Sequence, residues 1–121
     1  MAIPILKQGG ILIASVQSAV SDGDLARLES DLAKRVGADR STGVVIDVTS
    51  IDVMDSYTIR TLLEITRVNR LRGADTVIVG IQPDVAFAMV QLGLTLEGVH
   101  TALDLGDAVE MLRTDDRNGT R

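Results

Sequence analysis

Hydrophobic residues along this chain alternate between short continuous runs and longer segments in which they recur every three or four positions. The first two runs, Ile3–Leu6 and Ile11–Val16, predict β-strands. Between them lie Gly9 and Gly10, which readily adopt the backbone angles of a tight turn, so the two strands are expected to form a hairpin. Pro4 lacks a backbone N–H and confines the first strand to a sheet edge.

The segment from Ser21 to Val36 has the spacing of an amphipathic helix. Its apolar side chains recur at intervals of three and four residues, which places them on one face. Ser21 followed three residues later by Asp24 resembles a capping box, a reciprocal pairing that satisfies free N–H groups at a helix start. The helix is expected to end near Gly37.

The remainder of the chain repeats a strand–helix alternation. Runs rich in β-branched residues predict strands buried on both faces, and periodic segments predict the helices that follow them. The predicted strands are Gly43–Val48, Thr76–Ile81 and Val99–Ala102, and the predicted helices are Ser56–Arg72, Pro83–Gly93 and Asp104–Leu112. This order implies parallel pairing with right-handed crossovers.

The expected fold is therefore α/β, with a single domain over residues 1–113. Its small mixed sheet consists of the N-terminal hairpin followed by a parallel βαβαβα unit, with about four helices packed on it. Residues 114–121 are expected to form a frayed C-terminal tail.

Length and composition agree with one small domain. The chain has 121 residues, 45% of them hydrophobic, yet only one Phe and one Tyr, so aliphatic side chains must build the core. A net charge of -5 without long runs of one sign argues against binding to nucleic acid or to anionic membranes. No apolar run is long enough to span a bilayer, and a chain without cysteine has no disulfides, so a cytoplasmic location is expected.

One stretch concentrates polar chemistry where a buried strand passes into a helix. In IDVMDSYTIR, residues 51–60, the side chains of Asp52, Asp55 and Ser56 lie within five positions. Loops after the carboxyl ends of parallel strands converge at one edge of a sheet, and free N–H groups at a helix start attract anions. The simplest interpretation is that Asp55 or Ser56 caps the helix. Capping explains one polar residue, but not all three together.

The residues that enzymes use are sparse around this loop. A serine nucleophile needs a base within hydrogen-bond reach, and the only histidine, His100, falls on a late strand. The chain has neither of the common glycine-rich phosphate-binding motifs, and Asp52 with Asp55 would hold Mg²⁺ only weakly. We therefore predict no enzyme activity, no cofactor and no metal site. A small anion- or nucleotide-binding domain or enzyme, a receiver-like phosphoacceptor and a structural oligomerisation module stay open as alternatives.

Four stretches of the chain resemble one known family. They are IPILK at the start, GVVIDVTSIDVMDS at residues 43–56, GIQPDVA at 80–86 and TALDL at 101–105. Together with their spacing, these stretches resemble STAS domains, the anti-sigma factor antagonists. Many STAS domains carry a small residue and then glycine after the serine that follows the loop aspartate. Tyr57 and Thr58 stand at those positions here, which favours the stressosome branch over the sporulation branch.

The resemblance implies a function and a set of site residues. In that family the serine in the position of Ser56 is phosphorylated by a partner kinase. The chain would then be a non-enzymatic scaffold that assembles with RsbR-like STAS paralogues, as a homo-oligomer or a mixed complex. It would hold an RsbT-like serine kinase while Ser56 is free, release it after phosphorylation, and be reset by an RsbX-like phosphatase.

The expected partner-binding residues are Asp52, Asp55, Tyr57 and Thr58, of which the last two are expected to be exposed. One turn further along the predicted helix, a polar stripe either extends this surface or is an ordinary solvated helix face. The stripe consists of Arg60, Glu64 and Arg67.

Overall fold

The computed structural model describes residues 3–93 and 99–117. Within these residues an N-terminal hairpin is followed by alternating helices and strands. The strands are β1 (Ile5–Gln8), β2 (Ile11–Ser15), β3 (Gly43–Asp47), β4 (Asp75–Val79) and β5 (His100–Ala102). The helices are α1 (Asp22–Asp39), α2 (Ser56–Leu71), α3 (Pro83–Gln91) and α4 (Leu105–Arg117).

The strands form one mixed sheet in the order β1-β2-β3-β4-β5. β1 runs antiparallel to β2 and the other neighbours are parallel, which confirms the predicted fold. Gly9 adopts a φ of 61° in the turn between β1 and β2, an angle that a residue without a side chain reaches at little cost. β1 begins later than predicted, at Ile5, and forms an edge of the sheet, as expected from Pro4.

Helix α1 begins where predicted and ends later. The Ser21 hydroxyl accepts a hydrogen bond from the backbone N–H of Asp24 at 3.1 Å, and the Asp24 carboxylate accepts one from the N–H of Ser21 at 3.2 Å, which confirms the capping box. The helix continues past the predicted end near Gly37 to Asp39, and Arg40 closes it with a φ of 53°. Gly37 instead lies where α1 approaches α2, since a side chain there would collide with the guanidinium of Arg72.

Helices cover both faces of the sheet. Val44 and Ile46 of β3 belong to the core shared with α1, α2 and α3, whereas Val45 between them faces α4. Both faces of β3 are therefore buried, as its continuous apolar run predicts. The smaller core on the α4 side consists of Ile13, Val45, Val77, Val79, Ala108 and Leu112.

Helix α4 is longer than predicted. It reaches Arg117, five residues past the predicted end at Leu112, because the polar residues after Leu112 carry no hydrophobic period from which to predict it. The last part of the expected tail, residues 118–121, lies outside the described residues. Among the helices of the described ranges, none is both long enough and apolar enough to cross a bilayer.

Candidate functional site

The loop between β3 and α2, residues 48–55, is held by apolar anchors and backbone hydrogen bonds. Ile51 and Met54 are 4% and 8% exposed and pack into the larger core. The N–H of Val48 donates to the carbonyl of Val79 at 2.9 Å, and the N–H of Ile51 donates to the carbonyl of Val48 at 2.9 Å. Because these residues turn inward, the two carboxylates of the loop are left on the surface.

Asp55 is the N-cap of α2. Its Oδ1 accepts a hydrogen bond from the backbone N–H of Thr58 at 2.8 Å. This bond to the Thr58 backbone, followed by a smaller contribution from the Thr58 side chain, lowers the pKa of Asp55 below its usual value. Of the two capping candidates, the structure selects Asp55, and Ser56 becomes the first residue of the helix.

The Ser56 side chain is exposed at the start of α2. Since Asp55 already caps the helix, the Ser56 hydroxyl is not needed for capping, and it forms no hydrogen bond with any of the described residues. Free backbone N–H groups in the first turn and the positive end of the helix dipole favour an anion at this position. The geometry therefore offers an accessible hydroxyl beside a site that tolerates negative charge.

A second loop joins the site through Gln82. Its Nε2 donates to Asp52 Oδ1 at 3.0 Å and to the carbonyl of Thr49 at 2.9 Å, so the loop after β4 is tied to the loop after β3. The two loops also touch at Gly80, which has a φ of 80° and on which any side chain would collide with Thr49. Thr49 is itself held by Asp47, whose Oδ1 accepts from the Thr49 N–H at 2.9 Å and from its hydroxyl at 2.6 Å.

Three further residues of the site were not predicted from the sequence: Gln82, Thr49 and Gly80. A signal for them was present, because Gly80 and Gln82 follow β4 and the carboxyl ends of neighbouring parallel strands lie at one edge of the sheet. Polar residues after β4 were therefore candidates to contact polar residues after β3.

The predicted partner-binding residues differ in their exposure. Tyr57 is 43% exposed, and the neighbouring loop residue Val53 is 85% exposed although it is apolar. The prediction of an exposed Thr58 is wrong: its side chain is 9% exposed, because helical spacing puts it on the same buried face as Leu62 and Ile65. The polar stripe of Arg60, Glu64 and Arg67 is exposed, as predicted.

The histidine of the chain is not placed to activate Ser56. His100 lies on β5, which is separated from β3 by β4. Among the side chains that the structure describes, in residues 3–93 and 99–113, no three of His, Cys, Asp or Glu come together as a metal-binding group. The site as described can present a hydroxyl and two carboxylates to another molecule, and it lacks an adjacent histidine base for chemistry of its own.

Comparison with known proteins gives a consistent picture. The STAS domain model matches residues 2–108 of this chain. A solved serine-to-glutamate variant of RsbS from Moorella thermoacetica is 30% identical, has a TM-score of 0.85, and is aligned over 95% of this chain and 97% of its own. A chain from the solved molecular architecture of the stressosome, a signal integration and transduction hub, is 32% identical with a TM-score of 0.82, over 94% of this chain and 99% of its own.

A curated relative extends the comparison to a larger protein. The RsbT co-antagonist protein RsbRA of Bacillus subtilis strain 168 is 27% identical over 115 residues. The match covers 87% of this chain and 41% of RsbRA, so the chain spans about two fifths of the length of that relative. The family match, the mixed sheet with its N-terminal hairpin and the similarity to RsbS agree with one another. This chain belongs to the STAS domain family, and it is similar to RsbS and to a chain of the stressosome.

Proposed function

We propose that this chain is a phosphorylation-regulated scaffold of a stressosome-type complex, in which Ser56 is the phosphoacceptor. The unmodified chain holds an RsbT-like serine kinase, and phosphorylation of Ser56 releases it. The observation that supports this most directly is the exposed Ser56 hydroxyl directly after the N-cap Asp55, in a chain similar to RsbS over nearly its whole length.

The local chemistry favours transfer to Ser56 by another protein. The hydroxyl is exposed, is not engaged in capping, and has no histidine beside it to raise its nucleophilicity. The kinase therefore supplies the nucleotide and the catalytic groups, and this chain supplies the acceptor. Asp52 is fixed by Gln82 and Asp55 is fixed by the first turn of α2, so both carboxylates are presented to the kinase in defined positions.

Phosphorylation is expected to leave the fold almost unchanged. A phosphate on Ser56 adds about -1.5 to -2 charges beside two carboxylates, which repel it. The start of α2 offsets this repulsion, because a helix N-terminus stabilises an anion by about 0.3 to 1 kcal/mol. Since the side chain of Asp55, and not that of Ser56, caps the start of α2, phosphorylation of Ser56 removes no hydrogen bond that the described residues make.

The affinity for a docked kinase is expected to change far more. Val53 and Tyr57 give the surface around Ser56 exposed apolar area, and the carboxylates of Asp52 and Asp55 are exposed in the same stretch of chain. Burying an uncompensated phosphate in such an interface costs several kcal/mol, and each 1.4 kcal/mol lowers affinity about tenfold. Thr58 contributes little to this surface because its side chain is buried.

The remaining partners follow from the same proposal. RsbR-like STAS paralogues assemble with the chain, and an RsbX-like phosphatase removes the phosphate from Ser56. The relatives support this assignment: one matching chain comes from a stressosome structure, and RsbRA is described as an RsbT co-antagonist.

The test uses the full chain with an RsbT-like kinase, Mg²⁺ and ATP. Mass spectrometry should find one phosphate on Ser56, none on the Ser56→Ala variant, and normal uptake by Ser50→Ala, which alters an exposed serine of the same loop. Omitting the kinase separates the alternatives, since labelling or turnover with ATP alone would indicate a nucleotide-using enzyme instead.

Kinase capture gives the second half of the test. Unmodified chain and Ser56→Ala should retain the kinase on a column, whereas phosphorylated chain should lose it. Ser56→Asp should fall between them, because one carboxylate carries less charge than a phosphate. Equal capture by unmodified, Ser56→Asp and phosphorylated chains would contradict the proposed release.

A further inference from the structure

A cavity of about 190 Å³ lies at the amino ends of β2 and β3, whereas Ser56 lies near their carboxyl ends. It is enclosed by the turn between β1 and β2, the residue before β3, and the last described side chains of α4. Its floor is apolar and buried: Ile13 is 6% exposed and Leu112 is 4% exposed. Its lining also includes the exposed polar side chains of Thr42 and Arg113.

Two features of the surrounding residues leave the cavity unfilled. Gly9 and Gly10 form the roof, and neither has a side chain to fill the space. Leu112 is pressed against the start of β3, where a Cβ on Gly43 would lie only 2.9 Å from its Cδ1. The cavity is open to solvent on the side of its exposed polar residues, so a small molecule can enter it.

The described part of the rim carries a positive charge. Among the lining residues whose side chains the structure describes, Arg113 is the only charged one, and it forms no ion pair with another described residue. The Thr42 hydroxyl lies over Gly10, about 3.5 Å from where a Cβ on that glycine would be. The Thr42 backbone is already used, because its N–H donates to the Gly10 carbonyl at 3.0 Å and its carbonyl accepts from Asp75. The hydroxyl and the guanidinium therefore remain to bind a ligand.

We propose that this cavity binds a small monocarboxylate with an apolar body of about four to six carbons. The planar guanidinium of Arg113 matches the two oxygens of a carboxylate, and the Thr42 hydroxyl donates a further hydrogen bond. The hydrocarbon body lies against Ile13, Val109 and Leu112. The size is appropriate, because a protein cavity of about 150 Å³ is known to hold benzene. This site goes beyond the proposed function and uses none of the residues around Ser56.

The experiment is a titration of the full chain with hexanoate, followed by two-dimensional ¹⁵N–¹H NMR. The amides of Gly9, Gly10 and Thr42 should shift in a saturable manner, with a dissociation constant on the order of 1 mM. Hexanamide is neutral and hexylamine is a cation at neutral pH. Both match hexanoate in size but lack its negative charge, so they should bind at least about tenfold more weakly.

Variants locate the binding in the cavity. Arg113→Gln should weaken hexanoate binding about tenfold or more while leaving the folded spectrum intact, since the side chain is exposed. Val109→Phe should block binding by filling the space. Arg67→Gln removes an exposed arginine from α2 and should leave hexanoate binding unchanged.

Several results would overturn the assignment. They are the absence of saturable shifts in the wild-type chain, equal binding of hexanoate by Arg113→Gln, and tighter binding of inorganic phosphate than of hexanoate. If Val109→Phe does not fold, the comparison of Arg113→Gln with Arg67→Gln still decides the question.

Discussion

Replacing Gln82 by alanine would cut the connection between the two loops that form the Ser56 site. The side chain makes two hydrogen bonds, one to the carbonyl of Thr49 at 2.9 Å and one to Asp52 Oδ1 at 3.0 Å. Gln82 is also the N-cap residue of α3, but its side chain makes no capping hydrogen bond, so the substitution tests the connection and not the helix start.

The magnitude follows from the two bonds. A hydrogen bond to a backbone carbonyl contributes about 0.5 to 1.5 kcal/mol to stability. The bond to the charged Asp52 is stronger in principle, but both partners are accessible to water, which reduces it to about 0.5 to 1 kcal/mol. Gln82→Ala should therefore lower the free energy of unfolding by about 1.5 kcal/mol and the melting temperature of this chain by about 6 °C.

Urea unfolding followed by circular dichroism measures this change, and a double-mutant cycle with Asp52→Ala isolates the bond between the two side chains. The coupling energy is expected to be about 0.5 to 1 kcal/mol. Gln17→Ala, which removes an exposed glutamine near the same edge of the sheet, is the matched control and should have little effect. A coupling energy within about 0.3 kcal/mol of zero, together with a Gln82→Ala effect no larger than the control, would refute the reasoning.

Three further predictions concern the same region and its neighbours. The pKa of Asp55 is lowered in the folded chain, so its stabilising contribution is present above the unfolded pKa and is lost as pH falls through the folded pKa. Thermal melts of Asp55→Ala from neutral to acidic pH should lack this pH-dependent loss of stability. The pKa of Glu29 is raised, first by burial and then by the charge of Glu64, so Glu64→Gln should raise the melting temperature at neutral pH and have little effect at a pH where both carboxyls are protonated. Gly80→Ala combines a φ of 80° with a collision with Thr49 and should lower the free energy of unfolding by about 2 kcal/mol or more in a urea titration; a loss below about 0.5 kcal/mol would contradict the close approach.

Features that depend on neighbours in sequence were predictable from the chain alone. The hairpin depends on the glycine pair between two apolar runs, and the start of α1 depends on Ser21 and Asp24, three residues apart. The start of α2 was predicted to within the choice between Asp55 and Ser56, because either side chain can reach the free N–H groups of the first turn.

Features that depend on packing between distant segments were not predictable in the same way. Gln82 and Asp52 are separated by 30 residues and meet because β3 and β4 pair in register, which a polar residue in a loop does not reveal. The burial of Thr58 was missed because a threonine beside a tyrosine looks like surface, although the helical period assigns it to the core side of α2. Gly37 was predicted to end α1 because glycine commonly follows a helix. Its actual role depends on its closeness to Arg72 at the end of a second helix, which the local sequence does not reveal.

If Ser56 is the phosphoacceptor, as proposed, the N-cap at Asp55 allows the chain to be switched quickly. Adding or removing a phosphate on Ser56 does not disturb the hydrogen bond by which Asp55 caps α2. Neither phosphorylation nor dephosphorylation therefore requires the helix to unfold and refold. Once the phosphate is removed, the chain is therefore expected to return to its original conformation. In the proposed switch, the speed of each cycle would then be set by the modifying enzymes and by dissociation of the kinase, because no helix has to refold before a second round.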